Sequence, residues 1–235
     1  MDYIQDIFHG LLTAAKATLR NLKALPVLLL IQLAASAVYQ LFFGLPGIGG
    51  GILGGILMAV IRAALYSVYL YALYHAVHRS RFRTADIRTG AGVFFRDVYI
   101  ATFVLWILGL FVGMIRLAAL PIGLIILLVF SALPETVYLG RYNGFDNIRD
   151  ALEFLRENWY IWLPVTLLMV FVLDRVSFGA SFFVYGSIGS LSVEVLGRYL
   201  LHGVLFNLFA LFRGNLFQYL YGSSLRKRKF MGNFR

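Results

Sequence analysis

Long apolar runs separated by short polar segments dominate the pattern of this chain. A helix that crosses a bilayer needs roughly 20 mainly apolar residues, and six stretches approach or exceed that length. The predicted spans are about residues 24–43, 51–76, 98–115, 117–139, 159–174 and 192–220. The pattern therefore predicts an all-α polytopic membrane protein, with residues 1–235 forming a single transmembrane domain of six transmembrane helices.

A second pattern, of amphipathic spacing, precedes the first span in residues 1–23. Apolar residues recur there at intervals of three and four: Ile4, Ile7, Phe8, Leu11, Leu12, Ala15, Leu19 and Leu22. This spacing places them on one face of a helix. We expect an amphipathic helix in the membrane interface, and we do not expect a secretory signal. The alternative is that this helix packs on other cytoplasmic segments.

The segments before the third and fifth spans resemble each other. Residues 86–97 read DIRTGAGVFFRD and residues 147–157 read NIRDALEFLRE, and the opening helix shares the last part of this pattern, TLRN. Arg20, Arg96 and Arg156 therefore occupy matching places, each directly before a span. We predict three repeats of an amphipathic helix followed by a two-span hairpin. The alternative is that any helix entering from the cytoplasm carries Arg there.

These three arginines are predicted to contact lipid headgroups. An arginine at a membrane boundary keeps its methylene groups among apolar atoms and extends its guanidinium to lipid phosphate. The next residue is Asn21, Asp97 or Glu157, which can cap free N–H groups at the start of the span.

Composition agrees with a membrane protein. The chain is 60% hydrophobic and 14% charged, with a mean hydropathy of +0.80, whereas soluble domains carry about 25% charged residues. It has no cysteine, which excludes disulfides, thiolate catalysis and cysteine-ligated metals. The net charge is +10, and its placement indicates membrane topology and no nucleic-acid partner.

Most of the 21 Lys and Arg residues fall on one side of the predicted spans. They lie before the first span, between spans 2 and 3, between spans 4 and 5, and in the basic tail 222–235. They are Lys16, Arg20, Lys23, Arg79, Arg81, Arg83, Arg88, Arg96, Arg141, Arg149, Arg156, Arg226, Lys227, Arg228, Lys229 and Arg235. The positive-inside rule makes this side cytoplasmic. We expect a multi-pass protein of the prokaryotic plasma (inner) membrane with both termini in the cytoplasm.

The stretch LPETVYLGRYNGFDNIRDALEFLRENWYIWLP carries a family resemblance. It resembles the middle of a class of uncharacterised prokaryotic six-span membrane proteins, and it is similar to the membrane domain found with some glycerophosphodiester phosphodiesterases. The matching residues are Pro134, Ala151, Asn158 and Trp159. Phe154 or Leu155 replaces the family's usual serine. The resemblance covers about residues 75–170 and implies a shape, because it brings no catalytic residues with it.

Ionisable groups inside the spans are candidate functional groups, because each costs about 2.5–3.5 kcal/mol or more in a bilayer. The deepest is Arg62, with Tyr66 one turn further on the same face. We consider a polar cavity, open to the outer side, for an anionic solute, a lipid headgroup or protons. Its predicted lining residues are Arg62, Tyr66, Asp174, Glu194, Arg198 and His202. The alternative is that Glu194 and Arg198 form an i,i+4 pair at the water boundary.

Other polar groups indicate no catalytic centre. Glu135 follows Pro134 near a cytoplasmic helix end, where we expect it to reach interfacial water or to pair with an arginine such as Arg141. The four histidines do not have metal-ligand spacing, and neither G-x-S-x-G nor a phosphate-loop lysine occurs. We therefore predict no catalytic residues, no metal and no cofactor.

The expected function is non-enzymatic binding of membrane lipids, preferentially anionic, or of a partner membrane protein, with a homo-oligomer as a further option. One alternative is a small-solute or ion transporter or channel with a polar cavity near Arg62 and the sixth span. A second alternative is a lipid-acting membrane enzyme.

The glycine-rich stretch GLPGIGGGILGG, residues 44–55, joins the first two spans. Its spacing of four predicts a smooth helix ridge for close packing against a neighbouring helix. The residues of this ridge are Gly47, Gly51, Gly55, Gly50 and Gly54. A phosphate-binding loop is disfavoured because no Lys, Ser or Thr follows the glycines. A re-entrant filter is the remaining alternative.

Overall fold

The computed structural model describes residues 3–43, 51–78, 82–83, 85–114, 119–177 and 193–223. Within these ranges the chain forms nine α-helices, a 3-10 turn at Leu22–Ala24 and no strand. The helices are α1 (Tyr3–Asn21), α2 (Leu25–Phe43), α3 (Gly51–Val77), α4 (Asp86–Val93), α5 (Phe95–Met114), α6 (Ala119–Val129), α7 (Leu133–Leu139), α8 (Asp146–Ser177) and α9 (Val193–Leu220). The predicted all-α class is confirmed.

Five helical segments in the described ranges are long and apolar enough to cross a membrane, or six if the bent pair α4 and α5 forms one span. They are Ile4–Phe42, Gly54–Val77, Ile122–Leu139, Asp146–Val176 and Gly197–Leu220. Their length and composition are those of a multi-pass membrane protein.

Helix α8 differs from the sequence prediction in its continuity. An amphipathic segment ending near residue 157 and a separate span from residue 159 were expected, but α8 runs unbroken over 32 residues with Pro164 inside it. At about 1.5 Å per residue it extends about 48 Å, which exceeds a hydrocarbon core of about 30 Å. The charged first half and the apolar second half therefore belong to one continuous helix.

The predicted span 117–139 overlaps the candidate span Ile122–Leu139, which contains a short irregular turn. Helix α6 ends at Val129 and α7 begins at Leu133. Pro134 occupies the first turn of α7, where its missing N–H removes no helical hydrogen bond. Proline therefore starts a helix here and does not end the span.

Two compact units make up the chain. Unit 1 contains Met1–Leu19, Arg96–Leu167 and Phe212–Arg235. Unit 2 contains Arg20–Phe95 and Leu168–Leu211.

An aromatic cluster forms the core of unit 1. The ring centroid of Phe154 lies 5.0 Å from that of Trp162 and 4.5 Å from that of Phe217. Ala14 of α1 and Leu216 of α9 complete the cluster, and neither has measurable exposure. The cluster joins α1, α8 and α9 through apolar residues at helical spacing.

In unit 2, α4 packs against α3 through a glycine. A Cβ atom placed on Gly90 would lie 3.0 Å from Cδ1 of Tyr71. Ser67 Oγ donates a hydrogen bond to the carbonyl oxygen of Gly90 (2.6 Å) and accepts one from Phe94 N (3.1 Å). The small residue lets the short helix approach closely enough for both bonds.

Candidate functional site

The residues predicted to line a polar cavity differ in their exposure. Arg62, Asp174 and Arg198 are exposed and Tyr66 is half-buried, whereas His202 is buried. Glu194 lies in α9, but its side chain lies outside the described part of the structure. The structure thus places three of the charged groups on the surface of unit 2 and the histidine in its interior.

A hydrogen-bonded polar network lies inside unit 2. Asn207 of α9 accepts a hydrogen bond from the hydroxyl of Tyr69 (3.0 Å) and donates to Gln32 Oε1 (2.6 Å) and to the carbonyl oxygen of Gly203 (2.7 Å). Gln32, Tyr69 and Asn207 are at most 1% exposed. The bonds join α2, α3 and α9, and they satisfy polar groups that would be costly to bury alone.

His202 lies five residues before Asn207 on α9, which is about one and a half helical turns. Its ring stacks on Phe206 at a centroid distance of 6.3 Å, and Phe206 contacts Tyr69 at 6.0 Å. Its Nδ1 has no hydrogen-bond partner among the described residues. Among the predicted cavity residues whose side chains the structure describes, His202 is the buried one, and it lies beside the network.

A buried ion pair lies inside unit 1. Arg213 Nη2 of α9 is 2.9 Å from Glu135 Oε2 of α7, with side-chain exposures of 9% and 5%. The same nitrogen donates to the carbonyl oxygen of Ser131. The guanidinium carbon lies 4.8 Å from the ring centre of Trp162, whose indole nitrogen donates to Ser131 Oγ at 3.0 Å. The guanidinium of Arg213 therefore contacts three residues: Glu135, Ser131 and Trp162.

This pairing corrects the expectation for Glu135. The sequence suggested interfacial water or a nearby arginine such as Arg141, but the partner is Arg213. Arg141 instead lies over the ring of Tyr221, 5.5 Å from its centroid. The structural role considered for Glu135 is retained, with a different partner.

A face of small and polar residues on α1 packs against α8 and α9 of unit 1. Asp6 Oδ2 accepts a hydrogen bond from the hydroxyl of Tyr160 at 2.7 Å. Asn215 Nδ2 donates to Thr18 Oγ1 at 3.2 Å. Between them, a Cβ atom on Gly10 would lie 3.2 Å from Tyr219 Cε1. This inward face was missed by the sequence analysis, which considered the apolar positions of α1.

The apolar side of α1 is largely exposed. The side chains of Ile4, Phe8, Leu12 and Leu19 are 54–71% exposed. The alternative that the sequence left open was packing of this helix on other segments. Such packing occurs through the other residues of α1, among which Ala14 belongs to the unit 1 core. Ile7 and Leu11 are partly buried at the edge of the unit 1 core.

The three arginines predicted to contact lipid headgroups are all exposed. Each lies close in sequence to a buried residue: Asn21, Asp97 or Asn158. Seven positions before each of these lies a buried small residue. These small residues are Ala14, Gly90 and Ala151.

A cleft of about 300 Å³ lies near the start of α8. It is lined by Arg141, Tyr142, Asp150, Glu153, Phe154, Glu157, Tyr221 and Gly222. The hydroxyl of Tyr221 donates to Asp150 Oδ2 (2.7 Å) and accepts from Arg141 N (3.1 Å). Burial, together with the hydrogen bond to Asp150, raises the pKa of the Tyr221 hydroxyl to about 12. The Tyr221 hydroxyl thus connects the loop after α7 to α8 through two hydrogen bonds.

The predicted glycine ridge divides between two environments. Gly54 is buried, whereas Gly55 is exposed and a Cβ atom on it would meet no described atom within 4 Å. Gly51 begins α3, and Gly47 and Gly50 lie outside the described residues. The basic tail from residue 224 and the segment 178–192 also lie outside them.

The network residues Gln32 and Tyr69 were not among the predicted site residues. A glutamine in a predicted span is a usable signal, but nothing local shows which helix supplies its partner. In the described ranges no group of three His, Asp or Glu side chains is placed to hold a metal. No family model matches this chain, and neither does any curated protein or solved structure.

Proposed function

We propose that this protein is a non-enzymatic multi-pass protein of the prokaryotic inner membrane that binds anionic phospholipid headgroups at its cytoplasmic side. The observation that carries this proposal is the common exposure of Arg20, Arg96 and Arg156. All three side chains are exposed. Arg96 Nε also lies 3.6 Å from Asp97 Oδ1, but the Arg96 side chain is 70% exposed. A neighbouring stretch of each segment is buried.

Exposed apolar side chains accompany these arginines and support a position at the membrane boundary. Leu19 precedes Arg20 and is 67% exposed, and Trp159 follows Arg156 by one turn and is 59% exposed. An exposed apolar group beside an exposed guanidinium suits a boundary between acyl chains and phosphates. Exposure of the same apolar side chains to bulk water would be unfavourable.

Six spans, cytoplasmic termini and a threefold repeat are part of this proposal. The spacing of seven between a buried small residue and a buried Asn or Asp occurs in all three segments. Its pairs are Ala14 and Asn21, Gly90 and Asp97, and Ala151 and Asn158. A repeated docking register of this kind is expected if one helix-plus-hairpin unit was duplicated. In this register Arg20 and Arg96 follow the small residue by six positions and Arg156 follows it by five.

Retention of lipid by the purified protein tests the binding. An arginine near an anionic surface contributes about 1 kcal/mol, so replacing three weakens binding by about 3 kcal/mol, or roughly 100-fold. The variant is R20Q/R96Q/R156Q, and the measurement is native mass spectrometry of bound phosphatidylglycerol against phosphatidylcholine. We expect the variant to lose its preference for phosphatidylglycerol.

Arg175→Gln is the matched control, because Arg175 is also exposed and lies at the opposite end of α8. It should retain the preference of the unaltered protein. Equal retention of both lipids by the unaltered protein, or an undiminished preference in the triple variant, would overturn the proposal.

Transport is the second candidate function, and His202 is the observation that favours it. A buried imidazole whose Nδ1 has no partner among the described residues is unusual within a membrane span. Flux of protons or small solutes into liposomes tests this function. Flux that His202→Phe abolishes supports it, whereas equal flux in protein-free liposomes excludes it.

A further inference from the structure

Helix α1 is held in one orientation by its polar side. Asp6 and Thr18, three turns apart, are anchored by Tyr160 and Asn215 of unit 1. Between them Gly10 is too close to Tyr219 to carry a larger side chain without a shift. This face has no room for lipid or a partner, so the opposite face determines what α1 can bind.

Helices α1 and α2 together are longer than one membrane span requires. The continuous apolar segment Ile4–Phe42 has 39 residues, which as helix would extend about 58 Å, against a hydrocarbon core of about 30 Å. The 3-10 turn at Leu22–Ala24 separates the two helices. The 19 residues of α2 cover about 29 Å, so α2 is long enough to span without α1.

We propose that the exposed stripe of α1, formed by Ile4, Phe8, Leu12 and Leu19, is a docking surface for an anionic bilayer. The four side chains enter the acyl-chain region, and the exposed Lys16 lies at the lipid phosphates. This inference rests on the proposed function, and it names the part of the membrane that α1 occupies.

Charge favours a bilayer over a second copy of the chain as the occupant. Lys16 and Arg20 are exposed along the same helix, and no acidic residue of α1 lies beyond Asp6, which is buried. A second copy docked on the stripe would bring further lysine and arginine to the same face. An anionic bilayer supplies both the apolar phase and the opposite charge.

Site-directed spin labelling tests this inference, because the chain has no cysteine and needs no cysteine removal. Single nitroxide labels are placed on Phe8→Cys and Leu12→Cys, with Lys16→Cys as the control position. The full-length protein is reconstituted into vesicles of phosphatidylglycerol and phosphatidylethanolamine. We expect collisions with a water-soluble nickel reagent to be several-fold less frequent at positions 8 and 12 than at 16, and collisions with oxygen to be more frequent.

Two outcomes overturn the inference. One is water accessibility at Phe8→Cys and Leu12→Cys equal to that at Lys16→Cys. The other is protection that disappears when labelled protein is diluted with unlabelled protein and that is accompanied by spin–spin broadening, which would identify a second copy as the occupant.

Repeating the measurement in R20Q/R96Q/R156Q separates this inference from the proposed function. If headgroup preference is lost and labels at positions 8 and 12 remain in the acyl region, the stripe docks by apolar contact. If lipid preference fails to appear even in the unaltered protein while the labels are buried, the proposed function fails and the docking surface stands.

Discussion

The guanidinium of Arg213 lies 2.9 Å from the carboxylate of Glu135, and both side chains are more than 90% buried. The two residues are 78 positions apart in the chain. A buried pair of this kind contributes less to stability than its Coulomb energy suggests, because both charges lose their hydration. Loss of one partner, in contrast, is strongly destabilising, because it leaves an uncompensated charge in an apolar interior.

Breaking this pair should destabilise the protein strongly. Glu135→Leu or Arg213→Leu alone is expected to lower the free energy of unfolding by about 3–5 kcal/mol. The double variant should cost clearly less than the two single losses combined, since no charge then remains buried. Thermal unfolding of the four proteins in detergent micelles forms the double-mutant cycle that measures this coupling. Additive losses would show that the two charges do not interact.

Gly90 and Gly92 provide a matched pair on one short helix. A side chain at Gly90 would collide with Tyr71, whereas one at Gly92 would meet no described atom within 4 Å. Gly90→Leu should therefore lower the free energy of unfolding by about 1–3 kcal/mol through overpacking. Gly92→Leu should be neutral or slightly stabilising, because leucine favours a helix more than glycine does. Equal effects at both positions would contradict the close packing of α4 on α3.

Asn207 connects three helices, so its loss should exceed the loss of a single partner. Asn207→Leu removes the hydrogen bonds that Asn207 makes with the buried Tyr69 hydroxyl and with Gln32 Oε1. We expect the free energy of unfolding to fall by about 1–3 kcal/mol for each group left unsatisfied. Tyr69→Phe removes one donor and should cost about 1 kcal/mol. Unfolding of the two variants under identical detergent conditions compares them. A larger effect of Tyr69→Phe would assign the stability to the aromatic packing instead.

The hydroxyl of Tyr221 should titrate late. Its pKa is raised to about 12, because burial and the Asp150 hydrogen bond favour the protonated phenol. The stability that it contributes is fully present below the ordinary tyrosine pKa of about 10, and it is lost as the pH rises through about 12. Absorbance at 295 nm, taken as the unaltered protein minus Tyr221→Phe, isolates this group among 14 tyrosines. A difference curve centred near 10 would contradict the buried hydrogen bond.

The helical class could be predicted because it depends on local signals. Apolar runs of spanning length and the three-and-four spacing of α1 are properties of contiguous residues, and the described helices follow them. No break in the helix separates the amphipathic start of α8 from its apolar half, since a change of polarity does not itself break a helix. The resemblance to six-span membrane proteins stays a prediction.

Candidate site residues were harder to predict, because depth in a span does not reveal a partner. Arg62 was predicted to lie deep in a span and to line a polar cavity, and its side chain is exposed on α3. Among the described residues, the arginine buried beside an acid is Arg213. Both residues look alike in sequence, and the distinction depends on which side of each helix faces the interior.

By itself the sequence determined that this chain is a set of apolar helices with arginines near their ends, since hydropathy and helical periodicity act over neighbouring residues. The tertiary structure decided which polar groups meet. The contacting partners lie far apart in the chain. The separation is 78 residues for Glu135 and Arg213, 138 for Tyr69 and Asn207, and 175 for Asn207 and Gln32. It also decided which side of α1 faces the interior. Asp6, Gly10, Ala14 and Thr18 are buried, whereas Ile4, Phe8, Leu12 and Leu19 are exposed, because close packing at Gly10 and hydrogen bonds at Asp6 and Thr18 fix the rotation of the helix.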